Sequence, residues 1–135
     1  MAYLDVLKRQ HEDIREMIDF LNVNLGENKV RAESSQLAQN INVLSGKLRM
    51  HLLSEDESLY PKLLNGVDVK AKETAERFSK EMGNLSQVFA EYKVKYNISS
   101  KILMNIEGYI KDTKNIIEAL ENRINREDAE LYTLL

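Results

Sequence analysis

Apolar residues recur at intervals of three and four along almost the whole chain, and that spacing leaves little but helix open to it. Leu4, Leu7, His11, Ile14, Ile18 and Leu21 form one run, and Leu37, Ile41, Leu44, Leu48, His51, Glu55 and Leu59 a second. Ala71, Ala75, Phe78, Met82, Leu85, Phe89, Tyr92 and Tyr96 form a third, and Leu103, Ile106, Ile110, Thr113, Ile117, Leu120, Arg123, Glu127 and Leu131 a fourth. A stripe of this period lies along one side of an α-helix and has to be covered by another element. Five glycines and one proline in 135 residues are too few turn-formers for a many-stranded fold. The punctuation falls between the runs. Gly26-Glu27-Asn28-Lys29 closes the first helix, and Ser34-Ser35 can cap the second. Asn65-Gly66-Val67-Asp68 separates the second from the third, and Ser99-Ser100 can cap the fourth. Short connections make neighbours antiparallel, so the expected fold is all-α, an antiparallel up-down-up-down four-helix bundle in one domain over residues 1–135. Pro61 lies inside the second pattern and predicts a kink or break there, since proline removes a helical hydrogen bond. Arg123 is too far from Ser99-Ser100 to sit level with its neighbours. The fourth helix therefore either overhangs them or bends within residues 97–108, with Gly108 the residue best suited to a bend.

Composition limits the chemistry. The absence of cysteine excludes disulfides, thiolate zinc sites, iron–sulfur clusters and thiol nucleophiles. A net charge of −3 spread along the chain offers no footprint for nucleic acid. No apolar run reaches the ~18 residues that span a bilayer, and the first residues do not form a secretory leader, so a cytoplasmic protein that does not bind membranes is expected. No phosphate loop, nucleotide site or activated nucleophile is evident, and catalysis is not expected. Metal or acid–base chemistry must use carboxylates and two histidines.

Those histidines stand in the wrong place for solvent-exposed residues. His11, His51, Glu55, Arg123 and Glu127 each occupy a stripe position whose neighbours one turn away are Leu or Ile. A buried unpaired charge costs several kcal/mol, so such groups persist only when paired or metal-bound. The five predict one polar cluster between the helices. A histidine and a glutamate four apart share a helix face, as in His51-Leu-Leu-Ser-Glu55, and both can reach one ion between helices. A shift of 72 residues lays His51, Glu55, Asp56, Leu59 and Tyr60 over Arg123, Glu127, Asp128, Leu131 and Tyr132, and at nearly the same shift His11 falls on Met82. Two helical hairpins of one design follow, with imidazoles in the first half only. Tyr60 and Tyr132 read as packing residues, and Glu55-Asp56-Glu57 as a solvated face apart from Glu55.

His11, the His51-Leu-Leu-Ser-Glu55 segment with its Leu59-Tyr60-Pro61 tail, and Arg123 with Glu127, Leu131 and Tyr132 together resemble the hemerythrin-like, or HHE cation-binding, family over essentially the whole chain. The resemblance implies a single hemerythrin-like domain whose inward histidines and bridging carboxylates hold a non-haem di-iron centre, used for dioxygen binding or sensing, iron handling or repair of iron centres. It assigns His11, His51, Glu55 and Glu127 to ligand places and marks Met82 and Arg123 as places where the family has histidine. Both departures fall on one iron, so an intact di-iron centre is not expected. One Fe, Mn or Zn ion could be kept, for sensing, storage or binding of a small ligand such as dioxygen or nitric oxide. The alternative is a metal-free helical interaction or regulatory module in which Arg123 replaces the missing metal charge by forking onto Glu55 and Glu127. Met82 then fills the remaining space as an apolar residue.

Overall fold

The computed structural model describes residues 2–135, and every regular element among them is helical. The long helices are α1 (Ala2–Val23), α2 (Glu27–Ser58), α4 (Val69–Tyr96) and α6 (Ile106–Arg126). Two short ones, α3 (Tyr60–Leu64) and α5 (Ser99–Met104), stand between them. After α6 the helix widens to a π-turn over Glu127–Leu131 and then tightens to a 3₁₀ turn over Tyr132–Leu134. None of the described helices is long and apolar enough to cross a membrane.

The interruptions have local causes, and three differ from the sequence expectation. The second helix starts at Glu27 with Gly26 as its cap, because Val30 in its first turn is fully buried. Ser34 does not cap it; the backbone kinks at Glu33 (φ −111, ψ 15), and the Ser34 hydroxyl meets Ser99 Oγ at 2.7 Å. Ser99-Ser100 does not cap α5 either: its N-cap is Ile98, without a side-chain bond. Of the two alternatives for the fourth helix, the structure has the bend within residues 97–108, but at Asn105 (φ −150, ψ 67) rather than Gly108; the Asn105 side-chain oxygen accepts from the Gly108 N–H at 3.1 Å and caps α6. Gly108 sits inside that first turn, where a Cβ would run into the Asn105 amide. The break resets the helical register, so Ile102 is buried while Leu103 is 42% exposed. Pro61 behaves as expected. The chain breaks at Leu59 and restarts with Pro61 in the first turn of α3, where its missing N–H forfeits no helical bond. Asp68 caps α4 by accepting from the Ala71 N–H.

α1 packs on α2 and α6, and α4 packs on the same two helices. Contacts between α1 and α2 pair Gln10 with Ser54, His11 with His51 and Asp13 with Lys47, so the two run in opposite directions. Glu81 with Arg126 and Tyr92 with Thr113 show the same for α4 and α6. The apolar core is divided. One cluster, around Ile14, Ile18, Leu44, Leu48, Phe89, Leu120 and Ile124, fills the end near the α1–α2 connection. The other, around Leu7, Leu59, Leu63, Ala75, Phe78 and Leu131, fills the opposite end. The stripes of α1, α2 and α6 pass from one cluster to the other through a polar layer, which contains His11, His51, Glu55, Arg123 and Glu127, whereas the α4 stripe stays apolar through Met82.

Candidate metal centre

All five polar stripe residues are buried: His11 and Glu55 at 0% exposure, Glu127 at 1%, His51 at 3% and Arg123 at 5%. His11 from α1, His51 and Glu55 from α2, and Glu127 from the turn after α6 each offer one ligand atom, and these four atoms lie within 4.8 Å of one another. His11 Nε2 is 3.1 Å from His51 Nε2 and 2.7 Å from Glu127 Oε1. His51 Nε2 is 3.2 Å from Glu127 Oε1 and 3.3 Å from Glu55 Oε2. Two donors held at right angles by one ion at about 2.0–2.2 Å would be about 3 Å apart, so the spacing fits a transition-metal ion. Glu55 Oε1 is buried with no hydrogen-bond partner, which leaves a carboxylate oxygen free to bind.

The outward nitrogen of each imidazole is held separately. His11 Nδ1 lies 2.8 Å from Asp128 Oδ1, and Asp128 Oδ2 accepts from Arg15 at 2.6 Å. His51 Nδ1 lies 2.8 Å from the Gln10 carbonyl oxygen, while the Gln10 amide donates to Ser54 Oγ at 3.0 Å. Both acceptors require Nδ1–H, so in the neutral rings the Nε2 lone pairs point into the cluster. The charges are unequally shared. Burial pushes Glu127 upward, yet its close contacts with His11 and His51 and the Arg123 guanidinium hold it well below the ordinary carboxylate range. Burial raises Glu55, and the bond from His51 offsets this only in part. Burial lowers His51, but its bonds to Glu127 and Glu55 outweigh that and lift its pKa to about 9. With no cation present, His51 is therefore protonated at neutral pH, and a metal must displace that proton.

Arg123 reaches only one of the two carboxylates. Its Nε donates to Glu127 Oε2 at 2.8 Å, its Nη2 donates to the Tyr60 hydroxyl at 3.2 Å, and its guanidinium lies 4.7 Å over the Phe78 ring. Among the described residues no ion pair joins it to Glu55, so the expected fork is not formed. Arg123 and Glu127 are successive stripe positions of one helix, whereas Glu55 approaches from α2 beside His51. Met82 is buried and lines a cleft of about 790 Å³ between α2 and α4, with Leu48, Leu85, Phe89 and Leu120.

Three partners escaped the stripe pattern: Gln10, Asp128 and Tyr132. The Tyr132 hydroxyl is 2.9 Å from Glu55 Oε2 and 3.0 Å from His11 Nε2, and its ring stacks on His11 at 5.0 Å. At 100° per residue, Tyr132 would stand about 140° round from Glu127 on an α-helix. The π-turn, in which the Tyr132 N–H bonds to the Glu127 carbonyl, brings the two to one side. Burial and the Glu127 and Glu55 charges push the phenol upward. The 72-residue repeat carried a signal for Asp128 and Tyr132, both of which have counterparts in the first half; nothing in the sequence marks Gln10.

No curated protein and no solved structure matches the chain. The family model of the hemerythrin HHE cation-binding domain does, over residues 2–135, with the buried histidine and glutamate cluster inside the match. The chain belongs to the hemerythrin HHE cation-binding family.

Proposed function

We propose that the protein binds a single metal ion through Nε2 of His11 and His51 and the carboxylates of Glu55 and Glu127. The observation that carries this reading is the pair of outer bonds, His11 Nδ1 to Asp128 and His51 Nδ1 to Gln10, which aim both Nε2 atoms at the two glutamates. Imidazoles that bind metals are oriented in this way. Imidazole and carboxylate donors suit iron, manganese and zinc alike. Four protein ligands leave one or two places at a five- or six-coordinate ion, enough for a small ligand such as dioxygen or nitric oxide. The role is sensing, storage or small-ligand binding. Met82 and Arg123 stand where the family has histidine, and the second iron is lost. On the same reading α1, α2, α4 and α6 form an antiparallel up-down-up-down bundle in a single domain, with α3 and α5 as short detours between the long helices.

A second reading rests on Arg123. Its 2.8 Å pairing with Glu127 supplies positive charge to the polar layer, which could then stand without a cation and fix helix register in an interaction or regulatory module. Calorimetric titration of the untagged, chelator-treated protein with Fe²⁺, Mn²⁺ and Zn²⁺ separates the two. One saturable site, abolished in His51→Ala and Glu127→Gln proteins that keep their helical circular dichroism, supports metal binding. No site, or one indifferent to both substitutions, overturns it in favour of the second reading.

A further inference from the structure

We propose that Tyr132 is a fifth donor to the ion, its phenolate oxygen joining His11, His51, Glu55 and Glu127, and that it biases the centre towards trivalent iron. This rests on the metal-site reading above and goes beyond its four ligands.

The Tyr132 hydroxyl sits among all four of the other donors. It lies 3.0 Å from His11 Nε2 and 3.3 Å from His51 Nε2. It is 2.9 Å from Glu55 Oε2 and 3.4 Å from Glu127 Oε1. A phenol has one proton to donate and cannot serve both carboxylates at once. Four polar atoms around one hydroxyl are more than hydrogen bonding explains, whereas separations near 3 Å suit ligand atoms sharing one ion. The side chain is 3% exposed and stacked on the His11 ring, so its oxygen is held at the cluster.

The chain contains its own control. Tyr60 follows Glu55 by five residues just as Tyr132 follows Glu127. Where α2 breaks at Leu59, the Tyr60 hydroxyl turns away and accepts from Arg123. Where the helix instead widens over Glu127–Leu131, the tyrosine turns inward. π-turns inside helices are frequent at functional sites.

Donor chemistry selects the ion. A phenolate and two carboxylates are hard oxygen donors, and these favour a hard cation such as trivalent iron. On binding, the phenol O–H bond breaks, its proton passes to water and an oxygen–metal bond forms. Iron supplied in the ferric state undergoes no change of oxidation state.

The test uses the full chain, stripped of metal and titrated with ferric iron supplied as its citrate complex. The expected result is a visible phenolate-to-iron charge-transfer band that saturates at one iron per chain, with tyrosinate ring modes in resonance Raman. Tyr132→Phe should still take up iron but lose the band, with ferric affinity falling roughly tenfold or more and Zn²⁺ affinity changing far less. Tyr60→Phe should keep the band. Iron bound to the wild-type chain without the band, or a band that survives Tyr132→Phe, overturns the role of Tyr132 and leaves the four-ligand site standing. No iron uptake by the wild-type chain overturns the metal site itself. If Tyr132→Phe fails to fold, tyrosinate modes that persist in iron-loaded Tyr60→Phe support Tyr132 as the ligand, and modes lost in Tyr60→Phe or absent from the iron-loaded wild-type chain overturn it.

Discussion

Replacing Arg123 by alanine in the metal-free protein tests how the polar layer is held together. The guanidinium is 5% exposed, bonds Glu127 Oε2 at 2.8 Å, and covers the Phe78 ring at 4.7 Å. Breaking a buried ion pair by deleting one partner costs about 3–5 kcal/mol, because the other charge is left stranded. Glu127 is not wholly stranded here, since His11 at 2.7 Å and His51 at 3.2 Å remain beside it. That moves the electrostatic loss below this range, to about 2–3 kcal/mol. Losing the cation–π contact adds about 1 kcal/mol. The expected total is about 3 kcal/mol, to be read from urea unfolding at neutral pH with chelator present. With a slope of about 1–3 kcal/mol per molar urea, the midpoint falls by roughly 1–3 M. Adding Glu127→Gln to Arg123→Ala should recover part of the loss, because the stranded charge is then gone. A loss below about 0.5 kcal/mol would refute the reasoning, showing that the pair contributes no more than an exposed one.

Three further outcomes are expected. The double variant Met82→His with Arg123→His should take up a second equivalent of iron by metal analysis; a folded double variant that binds at most one would refute those two positions as the lost ligand places. The metal-free protein should lose stability in alkali. His51 has its pKa raised from 6.5 to about 9, so its contribution is full below 6.5 and disappears as the pH rises through 9, a change of up to about 3 kcal/mol. Urea midpoints that stay flat or rise across that window would contradict the His51–glutamate pairing. Finally, Gly83→Ala should stabilise the protein by about 0.5–1 kcal/mol, since its Cβ meets nothing within 4 Å in the middle of α4. Gly108→Ala should destabilise it by displacing the Asn105 cap, and equal effects on the two melting curves would refute that distinction.

The long helices and the polar layer were legible because burial in a helix writes itself at intervals of three and four, and a histidine or glutamate on such a stripe is conspicuous. His11, His51, Glu55 and Glu127 were all found in that way, and the structure brings them together. The helix ends were less legible. Ser34 and Ser99 satisfy each other's hydroxyls across two helices instead of capping their own, a tertiary choice that local sequence does not contain. Asn105 rather than Gly108 makes the bend because an asparagine that caps the next helix fixes the turn, while the glycine only leaves room for it. An α-helical period puts Tyr132 on the side away from Glu127, where a tyrosine only packs, and the widened turn after Glu127 reverses that. The fork of Arg123 onto both glutamates failed for a similar reason. Stripe positions tell which residues are buried but not which of two neighbouring carboxylates a guanidinium will face.

The most direct measurement is the metal content of the untagged protein by mass spectrometry, as purified and after reconstitution with iron, manganese or zinc. A single-ion centre at His11, His51, Glu55 and Glu127 predicts close to one equivalent per chain of at least one of these metals, abolished by Glu127→Gln. Less than about a tenth of an equivalent of every transition metal after reconstitution would contradict it, since a site able to capture an ion at all fills nearly completely in excess metal.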